Sequence, residues 1–212
     1  ATLRGIRRTK GSKRREARPL LKEDLGAIVD RLDSSLRGQR DRALLLLGFA
    51  GGFRRSELVG LDYCDVEAVR EGLIVTLRRS KTDPFGEGRR IGIPYGRTRW
   101  CPVSALQAWL SASCNEEGPL FRAVSRHGQM GVKRLSGEAV SLIIRERAEA
   151  AGLNSKGLSG HSLRAGFATS AAQAGVPCWQ IRAQTGHATD AMLSRYIRLG
   201  EIFLKNAAAE LL

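Results

Sequence analysis

The spacing of apolar positions changes along this chain, and each change marks an element. Leu25, Ile28, Val29 and Leu32 fall at i, i+3, i+4 and i+7, which predicts an amphipathic helix over about 22–32. Residues 41–50 (DRALLLLGFA) are apolar all round and predict a buried central helix, ended by Gly51-Gly52. A short helical stretch, FRRSELVGL, follows. Strand character then appears at 73–77 and at about 89–93, separated by the turn formers Asp83-Pro84-Phe85-Gly86-Glu87-Gly88, so a small antiparallel hairpin is expected. From Pro102 onward the helical period returns: 102–112, 137–150 capped by Ser136, 161–174, 177–185 with Gly186 just beyond, and 190–199 capped by Thr189. In residues 201–212, Phe203, Ala207 and Leu211 lie beside Leu204, Ala208 and Leu212, one apolar stripe on a terminal helix. The fold class implied is α+β, mainly α-helical, with one small antiparallel sheet.

Composition narrows the class. The chain has 212 residues, enough for a sizeable core, and no apolar run approaches the ~18 residues that cross a bilayer, so a globular protein without a membrane partner is expected. Lys and Arg number 35 against 21 Asp and Glu, a net charge of +14, which points to a polyanionic partner. Half of the excess sits at the start: Arg4, Arg7, Arg8, Lys10, Lys13, Arg14, Arg15 and Arg18 face Glu16 alone. Residues 1–18 have too little apolar surface to fold by themselves and read as a basic arm or linker. Cys64, Cys101, Cys114 and Cys178 are spaced neither as metal ligands nor as a compact disulfide framework, which suits a reducing compartment.

Five short features carry possible chemistry. Arg54 and Glu57 in GFRRSEL share a helical face. Lys81 lies in the turn between the strands, where a mobile amine can be held against a ligand. His161 and Arg164 in GHSLR are one helical turn apart near a helix start, where a guanidinium can grip two phosphate oxygens and an imidazole can move a proton. Gly186-His187 and Tyr196 follow in GHATDAMLSRYIR. A phenol titrates near about 10 and attacks nothing at neutral pH without cationic neighbours or a base. Singly, each feature is equally readable as a surface ion pair, a solvated lysine, a satisfied imidazole or a ring packed on the core.

Taken in order, Arg54, Lys81, His161-x-x-Arg164, Gly186-His187 and Tyr196 resemble the catalytic set of the tyrosine recombinases, or phage-type integrases, and the resemblance runs from about residue 19 to 200. It implies a helical catalytic domain of the DNA breaking-rejoining type over 19–200, preceded by the arm and followed by a terminal helix at 201–212 that docks on a neighbouring protomer or on its own domain. It also implies an upstream DNA-clamping domain, to which residues 1–18 would be the linker. Arg55 departs from the family, standing where an apolar residue is more usual; it adds charge for DNA contact.

The resemblance further implies site-specific recombination of double-stranded DNA by a homotetramer, in the cytoplasm at the nucleoid, without cofactor, metal or ATP. Tyr196 would attack the scissile phosphate, leaving a 3′-phosphotyrosyl link. Arg54 and Arg164 would clamp the non-bridging oxygens, Lys81 would protonate the 5′-oxygen, His161 would handle the tyrosine proton and His187 would donate to the phosphate. Glu57 would orient Arg54 or His161. Two other readings stay open: DNA relaxation of the type IB topoisomerase kind, and a basic DNA-binding module without catalysis.

Overall fold

A computed structural model describes residues 17–78 and 88–201, the last three by backbone alone. Lys81, the cations of residues 1–15 and the stripe at 203–212 lie outside the described residues. Among those described there are eight α-helices, a three-stranded sheet and a two-stranded one.

The chain enters helix α1 (Lys22–Asp30), which buries Leu25, Ile28 and Val29. Helix α2 (Leu36–Ala50) is the expected central helix, with Leu44, Leu45 and Leu47 wholly buried. It starts five residues before the apolar run, because Ser35 Oγ accepts from Gly38 N at 3.1 Å and caps it. The polar turn so added is held from inside: Arg40 donates to buried Asp41 Oδ1 at 2.8 and 2.5 Å, and Arg147 donates to Asp41 Oδ2 at 2.7 Å. A carboxylate paired with two guanidiniums can stay ionised in a core. Short helix α3 (Arg55–Gly60) follows a tight turn, then a 3-10 turn at Tyr63–Asp65.

Strand β2 (Gly72–Leu77) pairs antiparallel with β3 (Arg89–Pro94), with Leu73 opposite Ile93 and Val75 opposite Ile91 on the buried face. The hairpin gains a third strand, β1 (Val66–Val69), whose burial is too slight to leave a period in the sequence. Helix α4 (Pro102–Ser113) brings Trp109, wholly buried, its indole donating to Leu120 O at 2.9 Å. A second hairpin, β4 (Arg122–Val124) with β5 (Met130–Arg134), went unexpected because its strands are short, irregular in register and largely exposed. Helix α5 (Gly137–Ala150) begins at Ser136, whose Oγ accepts from Ala139 N at 3.1 Å.

The last three described helices are α6 (Ser162–Gln173), α7 (Cys178–Thr185) and α8 (Asp190–Glu201). Pro177 stands at the cap of α7 rather than inside it, and at the start of α8 it is the backbone carbonyl of Thr189 that accepts from Met192 N. Helix α6 runs against the extended backbone of residue 20, whose N–H donates to Ser162 O at 3.0 Å. Gly166 permits that approach, since a Cβ there would lie 1.7 Å from Leu20 O.

Two apolar clusters result. The larger joins α1, α2, α4, α5 and the sheet; the smaller, of Ala165, Ala168, Ala172, Ile181, Leu193 and Tyr196, joins α6, α7 and α8. No helix among the described residues is long and apolar enough to cross a membrane.

Candidate active site

The site lies where α3, α6, α7 and α8 converge. Arg54 is the N-cap residue of α3, in extended conformation, so its side chain leaves the helix start while Glu57 at the third helical position reaches back. The Glu57 carboxylate accepts from the Arg54 backbone N–H at 2.8 Å and from its Nη1 at 2.5 Å. Burial alone would raise the Glu57 carboxyl, but the two Arg54 donors, with the charge of Arg164 behind them, outweigh it and hold the group below its usual range. Arg54 Nη2 also donates to Gly186 O at 3.2 Å.

Arg164, on the first turn of α6, is 1% exposed. Its Nη1 donates to Gly52 O at 2.7 Å and to Thr185 O, tying the turn after α2 to the end of α7. Burial, then repulsion from Arg54, lowers its pKa to about 10, with Glu57 opposing; it remains a cation at neutral pH.

Helix α7 ends in Gly186 at φ 65°, the left-handed cap that glycine adopts without strain. His187 beyond it is buried. Its Nδ1 lies 2.7 Å from Thr185 Oγ1, and that hydroxyl donates to Ile181 O at 2.7 Å. A hydroxyl has one proton, so Thr185 must accept from the imidazole; the hydrogen bonding assigns the proton to Nδ1 and leaves Nε2 a bare acceptor. Burial, followed by the charges of Arg164 and Arg54, presses the His187 pKa down to about 3, so the ring is neutral at pH 7.

Tyr196 sits in the smaller cluster, 3% exposed, with its hydroxyl at the edge facing the cations. His161 Nε2 is 3.0 Å from Tyr196 Oη, and Arg195 Nη2 donates to the same oxygen at 2.7 Å while its guanidinium carbon lies 4.7 Å from the ring centre. His161 has an exposed flank, yet surrounding protein and then the charges of Arg164, Arg195 and Arg54 keep its pKa below the usual imidazole value. A neutral imidazole facing a phenol can take its proton; a guanidinium on the same oxygen stabilises the phenolate that remains. The His187 ring is 6.0 Å from the Tyr196 ring, centre to centre.

The structure thus brings Arg54, Glu57, His161, Arg164, His187 and Tyr196 into one cluster. Arg55 lies to one side, its stem packed along Gly137 and Gly160 and its Nη1 3.8 Å from Glu138, about half exposed. Among the described residues no group of three His, Cys, Asp or Glu is placed to hold a metal ion. Sequence reasoning missed Arg195, Arg89 and Thr185. The Arg195-Tyr196 dipeptide was a signal for the first; the other two act through backbone carbonyls or a hydroxyl and leave no pattern.

Comparison with known proteins identifies the family. A model of the phage integrase family matches residues 18–201. An integrase/recombinase xerD homolog of Selenomonas ruminantium is 43% identical over 209 residues, 98% of this chain and 61% of its own length. Tyrosine recombinase XerC of Pseudomonas aeruginosa is 33% identical over 180 residues, 82% of this chain and 51% of that protein. The chain therefore spans between about half and two thirds of these curated relatives. Among solved structures, XerA recombinase shares the fold with a TM-score of 0.68 at 22% identity, over 94% of this chain and 66% of that one. A lambda integrase dimer bound to a COC′ core site does so with 0.63 at 21%, over 89% and 49%. With a family match over most of its length and a relative at 43% identity, the chain belongs to the phage integrase family, the tyrosine recombinases.

Proposed function

We propose that this chain is the catalytic part of a site-specific recombinase that cuts and rejoins double-stranded DNA through a 3′-phosphotyrosyl link. The observation that carries the reading is Tyr196 Oη held between His161 Nε2 at 3.0 Å and Arg195 Nη2 at 2.7 Å, beside the two arginines Arg54 and Arg164. That is a nucleophile with its base on one side and cations for a phosphate on the other.

In the reaction, Tyr196 Oη gives its proton to His161 Nε2 and attacks the scissile phosphorus. The bond from phosphorus to O5′ breaks opposite the attack, and Lys81, assigned by the family resemblance and its place in the sequence between β2 and β3, supplies the proton that makes O5′ a hydroxyl. Arg54 and Arg164 neutralise the non-bridging oxygens. One ester replaces another, so a 5′-hydroxyl from a second duplex can reverse the step without nucleotide hydrolysis. His187 meets the phosphate through Nε2, which carries no proton in the free protein. The phosphate's charge favours imidazolium, so this contact forms with proton uptake.

The likeness to a DNA-bound integrase dimer supports duplex DNA as the partner. Exchange between two duplexes requires four strand cuts and one tyrosine for each, hence a homotetramer, acting on cytoplasmic nucleoid DNA.

A duplex nicked next to the scissile phosphate tests the assignment, because the short fragment bearing the 5′-hydroxyl diffuses away and traps the adduct. The protein should gain a DNA-dependent shift on a denaturing gel, and Tyr196→Phe should abolish it. No adduct with the unaltered chain, or an adduct with Tyr196→Phe, overturns the reading. Relaxation of supercoiled DNA without joining two site-bearing duplexes would assign the same chemistry to a type IB topoisomerase instead.

A further inference from the structure

A third arginine is built into the same turn. Arg89 opens β3, eight positions after Lys81 in the sequence. Its Nη1 donates to Ala183 O at 3.2 Å and to Gln184 O at 3.1 Å. Arg164 serves Thr185 O and Arg54 serves Gly186 O, so four consecutive carbonyls, 183 to 186, receive N–H groups from three guanidiniums. These are carbonyls that the end of α7 leaves without helical partners, and the end of a helix carries partial negative charge. The helix terminus is what lets three like charges gather.

The Arg89 guanidinium lies close against Gly186, where a Cβ would come 2.4 Å from Nη1 and 2.6 Å from Cζ. Its other terminal nitrogen, Nη2, is buried with no hydrogen-bond partner among the described residues. Burial holds its pKa below the usual arginine value, with Glu57 opposing and Arg54 adding to the effect, which places all three groups within electrostatic reach. An orphaned buried donor is a cost beyond what bracing the turn requires, since Nη1 alone makes both carbonyl contacts. The charge therefore has a use beyond bracing.

Among the described residues at this turn, Arg54, Arg89 and Arg164 set three positive charges against the carboxylate of Glu57, an excess of two. A phosphodiester carries one negative charge, and the five-coordinate species formed on attack by the tyrosinate carries two, shared by its non-bridging oxygens. We propose that Arg89 is a positioning and charge-supplying residue for DNA cleavage: it locks the Thr185–His187 turn to β3 and supplies the second unit of excess charge, which favours the doubly charged transition state over the singly charged ground state. The inference rests on the phosphotyrosyl reading above.

Arg89→Met and Arg89→Lys in the full chain test it, by single-turnover cleavage of the nicked duplex at saturating DNA. Each is repeated on the duplex with a methylphosphonate at the scissile position, whose transition state carries one charge fewer. On the phosphate, Arg89→Met should cleave about 10²-fold more slowly with DNA affinity little changed, and Arg89→Lys should recover part of the loss. On the methylphosphonate, the deficit of Arg89→Met relative to the unaltered chain should shrink at least tenfold. An equal deficit on both substrates, or none on the phosphate, overturns the proposal. Should Arg89→Met fail to fold, Arg89→Lys decides alone: it keeps the charge but not the double carbonyl contact, so it must cleave the phosphate duplex within tenfold of the unaltered chain. If the unaltered chain forms no adduct, the phosphotyrosyl reading has failed; if it does and the deficits are equal, only the role of Arg89 has.

Discussion

The two apolar clusters are built on different terms. In the larger, Leu44, Leu45, Leu47, Trp109 and Phe121 are wholly buried. In the smaller, three of the six buried members are alanines, and Trp179 and Met192, carried by α7 and α8, stay 67% and 50% exposed. Burying a leucine or phenylalanine contributes about 1.5–3 kcal/mol and an alanine methyl roughly 0.8 kcal/mol, so among the described residues the smaller cluster holds by far less burial than the larger. The arginine side of the site stands on the large cluster, since Arg54 follows wholly packed Phe53 after α2 and Arg164 follows Leu163, a member of the same cluster at the start of α6. The nucleophile rides on the small one. What grips the phosphate is thus set on the larger cluster, while the attacking group sits on an element held by the smaller one.

Removing a charge from the side built on the larger cluster should have the largest effect. Arg164→Ala should slow cleavage of bound DNA by about 10²–10³-fold while leaving duplex affinity nearly intact; equal losses in binding and cleavage would place Arg164 in docking rather than chemistry. Next comes the packing contrast itself. Trp109→Ala should lower global unfolding free energy by about 3–5 kcal/mol. Leu193→Ala should cost about 2–3 kcal/mol and act locally, and hydrogen exchange should show α8 amides losing protection while α2 keeps its own. If both variants lowered protection in α2 and α8 alike, the two clusters would be one cooperative unit.

Acid should also act through the site. A histidine whose folded pKa is depressed binds its proton later than the unfolded chain does, so stability falls as pH drops below about 6.5 and goes on falling toward the folded value of about 3 for His187. Urea unfolding between pH 7 and pH 4 should show this slope, and His187→Asn should flatten it; an unchanged slope would mean that His187 is not the group responsible. The smallest effect belongs to the arm. Deleting residues 1–16 removes seven of the chain's 35 cations and should weaken non-specific DNA binding with a shallower salt dependence, leaving cleavage of bound DNA in place.

Much of the fold was legible because neighbours along the chain write it. The i, i+3, i+4 spacing of Leu25, Ile28 and Val29 and the strand character at 73–77 and 89–93 follow from local sequence meeting the core, and both appear as read. Strand β1 and the β4–β5 pair were hidden because short, exposed strands bury too little to impose a period. The start of α2 was hidden by its buried Arg40–Asp41–Arg147 group, a polar cluster that looks like surface until its partner 106 residues away is known.

The same division runs through the site. By itself the sequence determined which chemical groups exist and in what order, Arg54, His161, Arg164, His187 and Tyr196, because side-chain identity and helical spacing are local properties. Tertiary structure alone decided what those groups are bonded to: Arg164 to a carbonyl 112 residues away, Arg54 to one 132 residues away, and the Tyr196 hydroxyl to an imidazole 35 residues back. It also decided that Arg195 faces the phenol, that Arg89 joins the arginines and that the His187 proton resides on Nδ1. The reason is physical. A guanidinium is satisfied by backbone carbonyls as well as by carboxylates, every residue offers a carbonyl, and only the packing of α7 against α6 and the sheet selects which four are used.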